Sequence, residues 1–367
     1  MFKERITNFS PGPAALPLPV LEEAREEFLN FAGMGASVVE ISHRTPEFIA
    51  VIEETEELYR ELAGLSDNWR ILFVHGGARM QFAAVPMNLF GPAPDKKALY
   101  IDTGLFSALA AKEAARYGAV TTLASGKDSG YSTIPAVDPG QIGPDAAWVH
   151  LTSNNTVYGT HWAEFPDTGQ VPLVVDATSD VLSRQMDYER IDLLYAGLQK
   201  CLGPSGLAVV VIRKELIGEA LPPTPGILRY SVLDETRSLA NTTNTFGIYM
   251  MRLVLRWLRD QGGVAAMEKI NQEKAGLIYD KVDGSEFWTP CATLDSRSIM
   301  NITFGIAGDE DERLQGLFVD EALQEGLYGL RGHKARGGLR ASLYNAMPLA
   351  GARKLAEFMA DFEKRYG

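Results

Sequence analysis

Cysteine is the scarcest residue type that carries chemistry here, with only Cys201 and Cys291 in 367 positions. Two are too few for a disulfide framework, so both are read as small buried side chains in a reducing compartment. Cys201 beside Lys200 is also a nucleophile candidate, although packing is the preferred reading. Histidine is nearly as thin. The five, at 43, 75, 150, 161 and 333, include no pair on one helix face, and Cys-x-x-Cys is absent, so no metal site is expected. Long apolar runs are missing too: the longest aliphatic stretch, Leu207–Ile212, is far short of the roughly 20 residues a membrane span needs. The polar start Lys3-Glu-Arg5 leads into no signal-type region, so a cytoplasmic location is expected. Positive charge is in deficit, 35 Lys and Arg against 47 Asp and Glu. A net charge of −12 without a basic run disfavours nucleic acid and membrane surfaces as partners and leaves small molecules.

What is present is ample apolar material, 46% of a chain long enough for two cores rather than one. One stretch draws attention first. Ile191-Asp-Leu-Leu-Tyr-Ala-Gly-Leu-Gln-Lys200-Cys-Leu-Gly-Pro-Ser-Gly206 delivers a lysine from an apolar segment into a glycine-bounded turn. A lysine beside a turn is ordinarily solvated. Upstream, however, Val171-Pro-Leu-Val-Val-Asp176 reads as a buried strand ending in an acid. Further upstream, Ile71-Leu-Phe-Val-His-Gly-Gly-Ala-Arg79 reads as strand, glycine turn and helix start, where backbone N–H groups converge on an anion. An amine for a Schiff base, a carboxylate for a pyridinium nitrogen and an anion cradle together suggest pyridoxal phosphate.

In chain order, Ile6–Ala15 is a proline- and glycine-punctuated arm, followed by a helix with Val20, Leu21, Ala24, Phe28 and Phe31 at helical spacing. Gly35–Pro46 reads as a short extended run that ends in His43 and Arg44. The next helix is opened by Thr45-Pro46 and closed near Gly64. Those two cationic candidates either face an anion or are merely a satisfied histidine and a solvated arginine. Strands are expected at 71–75, 97–101, 119–123, 146–151, 172–176, 191–196 and 207–212, with helices between several, including Phe106–Tyr117 capped by Gly118. That alternation is an α/β layout, and ligands in such sheets sit beyond the carboxyl ends of the strands, near His75, Asp102, Ser153, Asp176 and Gln199. The link between the last two strands is too short for a crossover helix, so that pair should be antiparallel.

Beyond Leu221-Pro-Pro-Thr-Pro-Gly226 and the polar loop Asn241–Thr245, a helix begins near Phe246. The remainder reads as helix Val264–Val282, strand Ser298–Phe304, helix Glu312–Gln324, strand Leu339–Tyr344 and helix Leu349–Tyr366, a second and smaller α/β unit. The expected division is a large cofactor-binding domain over 16–258 and a small domain made of 1–15 and 259–367. Arg331–Arg340 carries four Arg or Lys and His333 in an acidic protein; it either holds an anion or is an exposed basic loop.

Several stretches, in this order, carry a resemblance: Asn8-Phe-Ser-Pro-Gly-Pro-Ala, Ser42-His-Arg, His75-Gly-Gly-Ala-Arg-Met-Gln-Phe, Tyr195-Ala-Gly-Leu-Gln-Lys-Cys-Leu-Gly-Pro-Ser-Gly, Lys269-Ile-Asn and Arg340-Ala-Ser-Leu-Tyr-Asn. They make the chain resemble, end to end, the phosphoserine aminotransferases, class V members of the fold-type I pyridoxal-phosphate enzymes. The resemblance implies an α/β fold with a mainly parallel seven-stranded sheet and a smaller C-terminal domain. It also implies transamination of O-phospho-L-serine with 2-oxoglutarate, giving 3-phosphooxypyruvate and L-glutamate in serine biosynthesis. 4-Phosphohydroxy-L-threonine, in pyridoxine biosynthesis, is a further substrate it allows.

By resemblance, Lys200 would form the Schiff base and carry protons, and Asp176 would hold the pyridine nitrogen. Ala78, Arg79 and Gln199 would take the cofactor phosphate, Thr156 the ring hydroxyl, and Phe106 would stack on the ring. Asn241 and Thr242 would reach the cofactor of the neighbouring subunit, implying a homodimer with shared sites. His43, Arg44, Arg79, His333 and Lys334 would bind the substrate's distal anion, and Arg340 its α-carboxylate. Three departures stand out: Phe106 where many members have tryptophan, Ala78 where glycine is usual, and Lys334 where arginine often sits. They put substrate affinity in question and remove no catalytic group. Alanine–glyoxylate transamination and cysteine desulfuration are the alternative fold-type I chemistries; a desulfurase would resemble Ser-x-His-Lys where this chain has Gln199-Lys200.

Overall fold

The computed structural model describes residues 5–93 and 95–367; of the polar start Lys3-Glu-Arg5, all but Arg5 lies outside them. Seven strands form one sheet in the order Trp69–His75, Leu207–Arg213, Leu193–Gly197, Leu173–Asp176, Ala146–Thr152, Lys97–Asp102, Ala119–Ser125. All seven expected strands are there. The Leu207–Arg213 strand runs antiparallel to both its neighbours, as the short link requires, and the other pairings are parallel.

The inner strands read as largely apolar runs because helices cover both faces of the sheet, whereas the edge strand Ala119–Ser125 is mostly exposed and carries Thr121 and Thr122. Successive residues separate cleanly: Phe73, Leu151, Val175, Leu194, Val209 and Val211 fall in one core, and Val74, Trp148, Val174, Leu193, Val210 and Ile212 in the other. The first core is closed by helices Leu18–Glu27, Pro46–Ala63 and Thr245–Asp260, the second by Gly77–Leu89 and Leu105–Ala114. Helix Pro46–Ala63 shows how locally its limits are set. The Thr45 hydroxyl accepts from Phe48 N, Pro46 occupies the first turn, and Gly64 ends it at φ 65°.

A third core lies against the first two, built from Phe9 and from residues between Ala275 and Phe362. Its sheet is three antiparallel strands, Trp288–Pro290, Asn301–Ile306 and Leu339–Ser342, backed by helices Gly263–Asp283, Arg313–Gln324 and Leu349–Tyr366. A polar seam joins it to the large sheet: Asn154 Nδ2 donates to Asn301 Oδ1 at 2.8 Å, and Asn301 Nδ2 donates to Ser342 Oγ and Tyr344 Oη.

Some expected elements take another form. Gly35–Pro46 is a series of bends and turns rather than an extended run, and its backbone pairs with no strand. The first helix stops at Glu27, and Phe31 sits in a separate 3-10 turn where Ala32 and Gly33 are left-handed. The helix after Gly104 ends at Ala114, and a turn rather than Gly118 closes it. Two-residue pairings, Thr7–Asn8 with Leu327–Tyr328 and Asn154–Asn155 with Thr160–His161, were too short to leave a periodic signal.

Candidate active site

The carboxyl ends of the parallel strands open onto a cavity of about 340 Å³. Its lining includes Ala78, Arg79, Phe106, Thr156, Asp176, Gln199 and Lys200, so seven of the residues singled out in the sequence meet at one place.

Lys200 reaches the cavity because its strand ends at Gly197 and the chain turns at once. Leu202 N and Gly203 N both donate back to Leu198 O, and Ala14 N from the N-terminal arm donates to Gln199 O. The arm thus braces the turn, and Pro13 becomes part of the cavity wall. Lys200 is 8% exposed, and its Nζ donates to Thr156 Oγ1 at 2.6 Å. Burial lowers its pKa to about 8, with Asp176 pulling the other way and Arg340 adding to the fall. The amine also lies 5.7 Å from the Phe106 ring and 6.0 Å from that of Tyr344.

Asp176 ends its strand 4% exposed, and burial pushes its carboxyl up. Thr178, two residues on, offsets this: its N–H at 3.0 Å and its hydroxyl at 2.6 Å both donate to Oδ1. A second buried acid, Asp180, accepts from Ser153 Oγ and from Arg184 Nε and is likewise pushed up by burial.

Opposite, Gly76 takes φ 87° between strand Trp69–His75 and helix Gly77–Leu89, and a Cβ there would come within 2.9 Å of Met80 Cβ. That tight corner aims the first free N–H groups of a 13-residue helix, with Arg79, into the cavity. Ala78 sits inside the helix with no positive φ, so the methyl replacing a hydrogen is accommodated.

Arg340, 4% exposed on its strand, donates from Nη1 to Thr156 O at 3.1 Å, while its buried Nε has no partner among the described residues. Thr156 is therefore the hinge of the site, accepting from Lys200 on its side chain and from Arg340 on its carbonyl. His333 is near enough to Arg340 and Lys334 for their charges, after burial, to hold its pKa down.

The other candidates do not line this cavity. His43 is buried and accepts from Arg44 Nε at 3.3 Å, Arg44 and Lys334 are exposed, and Asn241 and Thr242 are exposed beside the glycine corner, with Asn241 Nδ2 3.4 Å from His75 Nε2. Asp102 is committed elsewhere: its carboxylate accepts from Ser107, Ser125, Tyr131 and Gly104 N. Cys201 is 5% exposed with its thiol pushed up to about 12 by burial, which suits packing and not a nucleophile. The sequence reading missed Thr178, Asp180, Asn154, Thr152 and Ser205; only the i+2 spacing of Thr178 from Asp176 carried a local signal. Among the described residues no cluster of His, Cys, Asp and Glu forms a metal site, and no helix is long and apolar enough to cross a membrane.

The donor set fits an aromatic aldehyde phosphate: an amine of lowered pKa, a buried carboxylate, a helix N-terminus for the phosphate, and a ring face at Phe106. Comparisons with known proteins identify the family. The family model for class-V aminotransferases matches residues 6–355. The chain is 46% identical to a phosphoserine aminotransferase of Lysinibacillus sphaericus over 99% of both chains. It superposes on the phosphoserine aminotransferase structure from Bacillus circulans subsp. alkalophilus with a TM-score of 0.95 at 43% identity, covering 100% of each chain. A phosphoserine aminotransferase from Trichomonas vaginalis solved with pyridoxal phosphate bound is 34% identical, covers 97% of this chain and 100% of its own, and gives a TM-score of 0.92.

Proposed function

The chain belongs to the class-V aminotransferase family, and from that premise we propose how its residues carry out a pyridoxal-phosphate-dependent transamination of phosphoserine. The observation that carries the reading is the meeting of Lys200, Thr156 and Asp176 in one buried cavity beside a helix N-terminus. Pyridoxal 5′-phosphate, when bound, supplies the electron sink that lets an amino group pass from O-phospho-L-serine to 2-oxoglutarate, leaving 3-phosphooxypyruvate and L-glutamate.

The residues have distinct tasks. Lys200 would hold the cofactor through its amine, and the same amine is placed to move the proton at the substrate Cα. Asp176 would hold the proton of the ring nitrogen. The backbone at Ala78 and Arg79, with the Gln199 side chain, would hold the phosphate, Thr156 the ring hydroxyl, and Phe106 would stack on the ring. Arg340, with Nε unpaired, takes the α-carboxylate in a two-pronged grip. Thr156 holds Arg340 at the right height before substrate arrives.

His43, Arg44, Arg79, His333 and Lys334 supply positive charge for the distal anion, shared between two subunits, and Asn241 and Thr242 reach the partner's cofactor phosphate. What supports a homodimer is an apolar surface around those residues. Leu29 is 81% exposed, and Phe28, Met34, Val39 and Met80 are also exposed. They belong to connected segments: Phe28 stacks edge-on with Phe246 at 6.0 Å, and Thr245 Oγ1 donates to Val38 O. A surface of that kind calls for a partner. A division into a domain of 16–258 and one of 1–15 with 259–367 is supported by the separate third core of Phe9 and residues from Ala275 to Phe362, while Met267, Met300 and Tyr344 pack into the first core. A cytoplasmic setting accords with two unpaired cysteines.

Single-turnover half-reactions followed by cofactor absorbance test the reading. Phosphoserine and glutamate should react at least about a hundredfold faster, in kcat/KM, than alanine or cysteine. Equal or faster reaction with alanine would move the chain to alanine–glyoxylate chemistry, and sulfide release from cysteine to a desulfurase.

A further inference from the structure

Beneath Asp176 lies a buried polar pair that the reaction as derived so far leaves idle. His150 and Tyr195 are each 1% exposed, on the strands flanking that of Asp176. In the register, Asp176 pairs with Tyr195 on one side and Thr152 on the other, while Val174 pairs with Leu193 and His150. Tyr195 projects to the face covered by helix Gly77–Leu89, where it meets Phe82. Its hydroxyl crosses the Asp176 strand to reach His150 Nε2 at 2.9 Å.

Burial drives the His150 pKa down to about 3, so the ring is neutral with a single N–H. Tyr100 stacks on it at 4.6 Å and 20°, and Nδ1 has no partner among the described residues. In the tautomer with the hydrogen on Nε2, His150 gives it to the Tyr195 oxygen, and the phenol is free to donate its own hydrogen elsewhere. Asp176 is its register partner on the adjacent strand; each moves the other's pKa, the acid's down and the phenol's further up. The other charged or titratable groups around Asp176 are Lys200 and Asp180.

We propose that Tyr195 and His150 are positioning residues: in series they aim a hydrogen bond at the Asp176 carboxylate and keep it the ionised partner of the cofactor's ring nitrogen. The proposal rests on the pyridoxal-phosphate reading and adds to it a layer of residues that never touch the cofactor. Thr178 alone supplies donors from one side, to Oδ1. A buried carboxylate with too few donors drifts to its neutral form, and a neutral acid no longer favours a protonated ring.

The test uses the full chain freed of cofactor and two probes that form no covalent bond, pyridoxamine 5′-phosphate and its 1-deaza analogue, in which a CH replaces the ring nitrogen. Binding is read by tryptophan fluorescence. Binding of both probes by the unchanged chain secures the cofactor reading independently of the pair. Tyr195→Phe, which keeps the ring against Phe82, should weaken pyridoxamine phosphate about tenfold and leave the deaza analogue within about twofold. His150→Phe should show the same one-sided loss to a smaller degree, and it carries the test if Tyr195→Phe fails to accumulate. Equal loss for both probes would make the pair a packing feature and overturn the proposal, as would no loss for either.

Discussion

Lys200 and Thr156 are joined by one short hydrogen bond, Nζ to Oγ1 at 2.6 Å, while the Thr156 carbonyl accepts from Arg340. The amine proposed to hold the cofactor and the guanidinium proposed to hold the substrate thus both hydrogen-bond a single residue beyond the end of a strand of the large sheet. Thr156→Ala removes only the side-chain link. It should disturb the Lys200 amine and the cofactor spectrum while changing KM for amino acids by less than about threefold, since the carbonyl remains for Arg340. Absorbance spectra and steady-state kinetics of the variant check both halves.

Borohydride reduction of the purified protein followed by peptide mapping should place the pyridoxyl label on Lys200. The other deeply buried lysine, Lys274, is a control supplied by the fold itself. Burial lowers its pKa to about 7, yet it is 0% exposed and its Nζ is tied to three carbonyls. Label on Lys274 would show that depressed basicity, not position in the cavity, selects the lysine.

The pH dependence of cofactor capture has a definite sign. A lysine attacks an aldehyde only as the neutral amine, and burial has brought Lys200 to about 8. The capture rate of cofactor-free protein should therefore climb through pH 8 and level off above it. Asp176 favours the ammonium form, so Asp176→Asn should move that midpoint to lower pH. The same variant should keep its fold and lose turnover by on the order of a hundredfold or more, because an amide cannot hold the ring proton. A midpoint that rises in Asp176→Asn, or near-normal half-reaction rates, would remove Asp176 from its assigned role.

Much of this was legible in the sequence because the large sheet is buried on both faces. Leu207–Ile212 has no polar residue to blur it, and its short link from the preceding strand dictated an antiparallel pair. Lys200, Asp176 and the glycine corner were legible for a related reason: each closes such a strand, so the ends of the pattern marked the ligand edge. Gly35–Pro46 was misread because its alternation of small and apolar residues has no strand to pair with. Tyr195 and His150 were invisible as a pair, since a hydrogen bond across an intervening strand leaves no spacing in the chain. Among the described residues, no hydrogen bond joins His43 or Arg44 to the loop of His333 and Lys334.

Lys274 should matter for stability without touching substrate. Its three acceptors, the carbonyls of Leu343, Tyr344 and Met347 at 2.9–3.0 Å, shape the turn after the Arg340 strand. Lys274→Met fills the space but leaves those buried carbonyls without donors. It should cost about 3 kcal/mol in urea unfolding. A change under about 1 kcal/mol would mean that water replaces the amine.

The last expectation concerns two anions in one site, the phosphate of phosphoserine and the side-chain carboxylate of glutamate. Arg340 is buried, with an unpaired Nε, and meets the group that all amino acids share, so Arg340→Ala should lower kcat/KM for phosphoserine, glutamate and alanine about equally. Arg44 is exposed in the single chain, with its Nε on His43. In the proposed homodimer it would lie over the partner's site and meet only the distal anion. A dianion gains more from such a charge than a carboxylate does. Arg44→Ala should therefore weaken phosphoserine most, by roughly 2–4 kcal/mol in kcat/KM, glutamate less, and alanine little. His333 and Lys334 share the load, and since lysine is a point charge rather than a fork, Lys334→Arg should recover part of the loss for phosphoserine. If Arg44→Ala harms alanine as much as phosphoserine, Arg44 is a structural residue, and the distal anion is held by other residues.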